Sequence, residues 1–248
     1  MVVAAAAIAV LLASAGRGAA QSAATRTEAG YLHADAGAQT AIPGFTSTVT
    51  FPLYGEQGVV RATYRFVNAG IVSVRGGVRF RGDLSVGLAV SRFSGSGDAS
   101  VTAQLPHPFF FSQMRTVAGT IARLTRADTM VAAEVSWTVR PARGLDVMVF
   151  AGPAYVSTSQ DVVSAPRYAE TYPFDTATLI GADSTRVTRA GLGFTAGLDL
   201  SYLFSRHLGL GGLVRISRAT ATFSPAAGNR SSAALGGVQA SAGLRIRF

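Results

Sequence analysis

Gly236-Gly-Val-Gln-Ala-Ser-Ala-Gly-Leu-Arg-Ile-Arg-Phe248, the last stretch of the chain, alternates between apolar side chains and small, polar or charged ones. On a strand, Val238, Ala240, Ala242, Leu244, Ile246 and Phe248 share one face, while Gln239, Ser241, Gly243, Arg245 and Arg247 share the other. In a water-soluble sheet the apolar face would meet a core and the arginines would meet solvent. In a closed barrel crossing a membrane the assignment is reversed, with the apolar face toward lipid and the arginines toward the lumen.

Working back from the end, the same alternation recurs. Leu192, Phe194, Ala196, Leu198, Leu200, Tyr202 and Phe204 oppose Gly193, Thr195, Gly197, Asp199 and Ser201, and Leu208, Leu210, Val214 and Ile216 oppose Arg215 and Ser217. Leu145, Val147, Val149, Ala151 and Tyr155 oppose Asp146, Met148, Phe150 and Gly152; Val131, Ala133, Val135, Trp137 and Val139 oppose Glu134, Ser136 and Thr138. Nearer the start, Leu84, Val86, Leu88 and Val90 form one apolar face. Val72, Val74, Val78 and Phe80 oppose Ser73, Arg75, Gly77 and Arg79, and the segment 30–40 sets Leu32, Ala34, Ala36 and Ala38 against Tyr31, His33, Asp35, Gly37 and Gln39. These make eight wall strands.

Three connections are short: Arg81-Gly-Asp83, Arg140-Pro-Ala-Arg-Gly144 and Ser205-Arg-His207. The segments 41–70, 94–129, 158–186 and 224–232 are longer and are expected as outer loops, the later half of 94–129 alternating enough to extend the fourth strand above the membrane. Within the first, 46–54 and 59–67 also alternate around Gly55-Glu-Gln-Gly58, as a hairpin would. We place that hairpin beyond the membrane; as two further wall strands it would make ten. Phe80, Trp137, Tyr202, Phe204 and Phe248 all have lipid-facing parity and lie near a short turn or the C-terminus, where an interfacial aromatic girdle belongs.

Composition agrees with a barrel. Glycine is frequent, only 14% of residues are charged, and there is no cysteine to build a disulfide framework, a lipid anchor or a thiolate metal site. The formal charge of +9 is carried by arginine alone. The arginines are dispersed singly along alternating strands, which argues against nucleic acid and for lumenal pairing and contact with anionic head groups. Residues 1–20, an apolar run ending in small residues, read as a signal peptide, leaving 21–248 as the barrel domain. No basic residue precedes the run, which leaves a start farther upstream open.

A closing strand that ends on phenylalanine, with short turns and an aromatic girdle, resembles the small bacterial outer-membrane β-barrel family. The transmembrane domain of outer membrane protein A and its eight-stranded relatives belong to it. The resemblance implies an all-β, eight-stranded antiparallel transmembrane β-barrel with short periplasmic turns and longer outer loops, a monomer in contact with outer-membrane lipid and lipopolysaccharide. It also implies that the closing strand is read by the barrel-assembly machinery, and it implies no cofactor.

Function is less legible. Asp35, Arg75, Arg79, Glu134, Asp146, Asp199, Arg215, Arg245 and Arg247 point inward, and an eight-stranded interior is just wide enough for side chains. Such ions must pair, giving a plugged scaffold; a narrow or gated ion pathway is the alternative. Some barrels of this family modify lipid A through a Ser/His pair, but only His107, of His33, His107 and His207, lies on the outer side. No catalytic set, metal-ligand spacing or phosphate-binding glycine loop is present. Phe109, Phe110 and Phe111 in one outer loop and Tyr172 and Phe174, with Tyr168, in another are candidates for surface contact.

Overall fold

The computed structural model describes residues 29–40, 42–67, 69–223 and 231–248; the expected signal peptide lies outside them. They form ten strands: β1 (Gly30–Thr40), β2 (Phe45–Leu53), β3 (Glu56–Phe66), β4 (Ala69–Arg81), β5 (Leu84–Pro106), β6 (Met114–Ala142), β7 (Leu145–Glu170), β8 (Ala177–Leu203), β9 (Leu208–Phe223) and β10 (Ser231–Arg247). Eight of these, all but β2 and β3, pair antiparallel around a ring that closes where β1 meets β10, with Tyr31 opposite Arg247 and Ala38 opposite Ala240. The ten-strand wall is therefore ruled out.

β2 and β3 form the expected hairpin. It carries on the lines of β1 and β4: Gln39 faces Ala69, and farther out Phe45 faces Tyr64. At its tip Tyr54 and Gly55 both take positive φ, 50° and 78°, as a two-residue turn with the right-handed twist of its strands requires. Above the membrane β3 takes over from β4 as the neighbour of β5, from Phe66 opposite Gly97 to Val59 opposite Gln104.

The segments expected as outer loops are mostly strand. β6 runs for 29 residues and β8 for 27, on the order of 90 Å at about 3.3 Å per residue, whereas a membrane crossing takes about 9–11 residues. Only 107–113 and 171–176 separate the arms of the second and third outer hairpins. Of the fourth expected loop, Ser231 and Ser232 belong to β10, opposite Phe223 and Thr222, and 224–230 lie outside the described residues.

One pleat serves two environments. Near the short turns β5 exposes Val86 and Leu88 and buries Ser85, Ala89 and Ser91; beyond Arg92 the same parity exposes Ser100 and Thr102 and buries Ala99, Val101, Ala103 and Leu105. β7 changes in the same way, its outward series passing from Val149 and Tyr155 to Ser157 and Ser159. Below the change the outside is hydrocarbon and the inside polar; above it the outside is water and the inside a second core. The pleat continues while the solvent changes sides.

That second core is a lid. β6 and β7 stop pairing at Arg126 and Gln160, which frees the outer arms of β7 and β8 to lie against the sheet made by β2, β3 and the outer halves of β5 and β6. Val60, Ala62, Tyr64, Val101, Leu105, Val117 and Val163 are buried between them. Burying each side chain of Val or Leu size contributes about 1.5–3 kcal/mol, so the lid has a core of its own.

Candidate functional site

Every inward charge named from the sequence has inward parity in the ring, and the structure sorts them into two groups. Six form one continuous chain of alternating sign across the lumen: Asp35, Arg245, Asp199, Arg75, Glu134 and Arg215. Arg245 Nη1 donates to Asp35 Oδ1 at 2.7 Å, and its Nε and Nη2 grip both oxygens of Asp199 at 3.1 and 2.7 Å. Arg75 Nη2 donates to Asp199 at 2.6 Å and lies 3.9 Å from Glu134 through Nη1, and Arg215 donates to Glu134 at 2.8 Å. Ser201 adds a hydroxyl to Asp199 at 2.5 Å. A lone ion here would be very costly to desolvate; a chain in which each charge meets its opposite, with Arg245 forked onto Asp199, offsets that cost.

Two neighbours of this chain follow from no polarity rule. Phe150 points into a polar lumen because two guanidinium groups lie over its ring, Arg75 at 4.4 Å and Arg215 at 5.1 Å from the centroid. It fits because Gly197 stands beside it; a Cβ there would come within 2.5 Å of the phenyl Cζ. His33 is drawn in by Arg75, whose Nη2 is 3.0 Å from its Nδ1. The same Nδ1 lies 3.6 Å from Asp199 Oδ2, so the imidazole sits between the guanidinium and the carboxylate of the chain.

The other three residues, Arg79, Asp146 and Arg247, lie at the periplasmic mouth, where Arg247 pairs with Asp146 and Arg140 approaches the same carboxylate at 3.7 Å. At the opposite end Arg126 forks onto Asp128 through two bonds of 3.0 Å and stacks over Phe66, and Gln239 donates to Gln39. Arg126 and Asp128 share the inward parity of Glu134, so an inward series followed past Val131 finds them. Cavities of about 10 Å³, room for one water, remain at the mouth and beneath the lid.

The outer aromatics converge at the tip of the lid. Phe109 packs edge-on against Phe174 with centroids 5.6 Å apart, Phe174 against Tyr172 at 6.0 Å, and Phe110 on His107 at 4.9 Å. Phe111 and Tyr172 are 79% and 83% exposed, whereas Phe174, expected as a contact residue, is half-buried and acts as the spacer between its neighbours. Tyr168 is not in the crown; it packs against the lid core. His107 is buried, and its Nδ1 accepts the amides of Phe109 and Phe110 at 3.1 and 3.3 Å, which gives it a structural duty in the loop. His33 lies in the lumen and His207 at the third periplasmic turn, its Nδ1 3.0 Å from the Arg247 carbonyl.

Arg115 ties the crown to the lid. It donates to Glu170 at 2.5 Å, to the Phe174 carbonyl at 2.8 Å and to the Pro106 carbonyl at 2.9 Å, and Tyr54 donates to the other oxygen of Glu170 at 2.7 Å. Partial burial would raise the Glu170 carboxyl, but the bonds from Tyr54 and Arg115 prevail and hold it below its ordinary value of 4.5. A depressed acid contributes stability that is complete above the ordinary value and is lost as pH falls through the folded one. Protection factors of the amides in 107–113 and 171–176, the observed exchange divided into its intrinsic rate at each pH, are therefore expected to fall on acidification below about pH 4, and Glu170→Gln to abolish most of that fall. Protection as high at pH 3 as at pH 7 would contradict the assignment.

Taken together, the ring presents an unbroken apolar exterior, from Val72 and Val86 through Val135, Leu198 and Val214 to Leu244, bordered by the exposed Phe80, Trp137, Tyr202, Phe204 and Phe248. This is the architecture of a bacterial outer-membrane β-barrel. The short turns accordingly face the periplasm, and the lid projects outward. Among solved structures the chain is similar to neisserial surface protein A at 14% identity, covering 88% of this chain and 97% of that one with a TM-score of 0.46. It is similar to the outer membrane protein OprG of Pseudomonas aeruginosa at 10% identity, 89% and 97% coverage and a TM-score of 0.45. For the outer membrane protease OmpT of Escherichia coli the figures are 9%, 92%, 99% and 0.48. No protein-family model matches the sequence, and no curated protein sequence matches it.

Proposed function

We propose that this outer-membrane barrel is a closed, non-enzymatic scaffold that holds the aromatic crown away from the membrane as a contact surface for lipopolysaccharide or another amphipathic partner. The observation that carries the reading is the Asp35 to Arg215 chain, in which six buried charges pair with their opposites across the lumen. A solute crossing that layer has to part ion pairs whose separation costs several kcal/mol. The lid core stacked above adds a second barrier. Specificity is then left to the outer surface, where Phe109, Phe110, Phe111 and Tyr172 offer aromatic faces to water.

Two measurements test this. In a planar bilayer the refolded protein is expected to give no large, steady single-channel conductance; such a conductance would replace the scaffold with a pore. The variant Phe109→Ser/Phe110→Ser/Phe111→Ser, held in nanodiscs, is expected to keep its heat-resistant gel mobility and bind lipopolysaccharide micelles about tenfold or more weakly than the parent. Unfolding of the variant, or binding equal to the parent's, would reduce the cluster to packing.

A further inference from the structure

The periplasmic end holds basic groups that the lumenal network does not use. Between the second and third short turns lies an open groove of about 770 Å³, lined among others by Arg140, Arg143, Arg206, Arg247, Asp146 and Phe204. Asp146 is already engaged by Arg247 and approached by Arg140, which also reaches Asp83 at 3.3 Å. Arg143 and Arg206 are exposed, and among the described residues neither makes an ion pair or a hydrogen bond. Four arginines therefore face one aspartate that is already neutralised, and two of the four have both fork edges free.

The geometry points to an anionic phospholipid headgroup as the occupant, its phosphodiester held by Arg143 and Arg206 and its acyl chains lying along Phe204. Two observations select a lipid over a soluble anion. Phe204 belongs to the aromatic girdle and is 57% exposed, so the groove opens at the level where head groups lie. Its wall is part apolar, with Leu203 and Phe204 beside the arginines. The guanidinium fork matches a phosphate bidentately, and one such cation near an anionic surface contributes about 1 kcal/mol, roughly fivefold in affinity. The inference rests on the membrane orientation given above but not on the closed-scaffold reading.

The single tryptophan, Trp137, provides the readout, since it is a girdle residue on β6 three positions before Arg140. The full-length protein is reconstituted in phosphatidylcholine vesicles, and Trp137 quenching by dibrominated phosphatidylglycerol is compared with quenching by dibrominated phosphatidylcholine. Stronger quenching by the anionic lipid is expected, and the preference is expected to fall about fivefold for each arginine removed in Arg143→Gln/Arg206→Gln, while Arg61→Gln on the outer hairpin leaves it unchanged. Equal quenching by the two lipids, or a preference kept in the double variant, overturns the proposal. So does millimolar inorganic phosphate that abolishes the preference without displacing protein from the vesicles, because the site would then take free anion. Loss of heat-resistant mobility in the parent would instead overturn the barrel fold on which the inference stands.

Discussion

Asp199→Ala is expected to destabilise the barrel by about 3–5 kcal/mol, because it leaves two buried arginines without their shared acceptor. Asp199 is fully buried and accepts from Arg75, Arg245 and Ser201. Its removal breaks the alternating chain at its most connected member and leaves a like-charged pair in a low-dielectric space. The measurement is the urea midpoint of the vesicle-inserted protein, followed by Trp137 emission and by gel mobility. Asp83→Ala is the comparison: its partner Arg140 is 41% exposed and Asp83 itself 49%, so the loss should stay within about 1 kcal/mol. Similar small losses from both would mean that the lumen is wet enough to solvate a free guanidinium, and the scaffold reading would lose its main support.

The second large effect concerns the lid. Tyr64 is wholly buried, stacks on Phe45 with centroids 4.3 Å apart at 4°, and its hydroxyl accepts the Val163 amide at 2.8 Å and meets Ser47 at 3.2 Å. Tyr64→Ala removes the ring from the centre of the lid core and is expected to cost it about 3–5 kcal/mol. Tyr64→Phe keeps the ring but leaves the Val163 amide unpaired, at about 1–3 kcal/mol. Hydrogen exchange should register the loss in β2, β3 and the outer arms of β5 to β8, with the ring segments protected as before, since the lid has its own buried cluster and would open as its own unit. Protection lost equally in lid and ring would show a single cooperative unit.

The ring was legible in the sequence because period two is unambiguous where one face meets hydrocarbon. Phe80, Trp137, Tyr202, Phe204 and Phe248 fix the register independently at the periplasmic edge. Of the lid, only the first hairpin and the outward extension of the fourth strand were legible, although the rest of its signal is equally regular: Asp98-Ala-Ser-Val-Thr-Ala-Gln-Leu-Pro106 alternates as cleanly as the closing strand. A reading that takes apolar residues as outward cannot use it, because here the apolar face is the inward one. β6 hides the continuity further, since a bulge sets Gly97 and Ala99 against Leu124 and Ile121, with Arg123 at a φ of 65°, and shifts its parity once. In the site, the charges and the inward parity of Phe150 were legible, whereas the reason for a phenyl ring there was not, because stacking under Arg75 and Arg215 depends on three strands that only the closed ring brings together.

The pleat that runs unbroken from hydrocarbon into water also constrains how this chain can change. Along β5 or β7 a single inserted residue exchanges inside for outside everywhere beyond it, presenting Val101 and Leu105 to water or Val149 to the lumen. Two inserted residues restore the faces and merely lengthen the arm. The projecting hairpins thus behave like text read in a frame of two, in which growth is permitted in even steps and an odd step is tolerated only where a bulge, such as the one at Arg123, resets the frame.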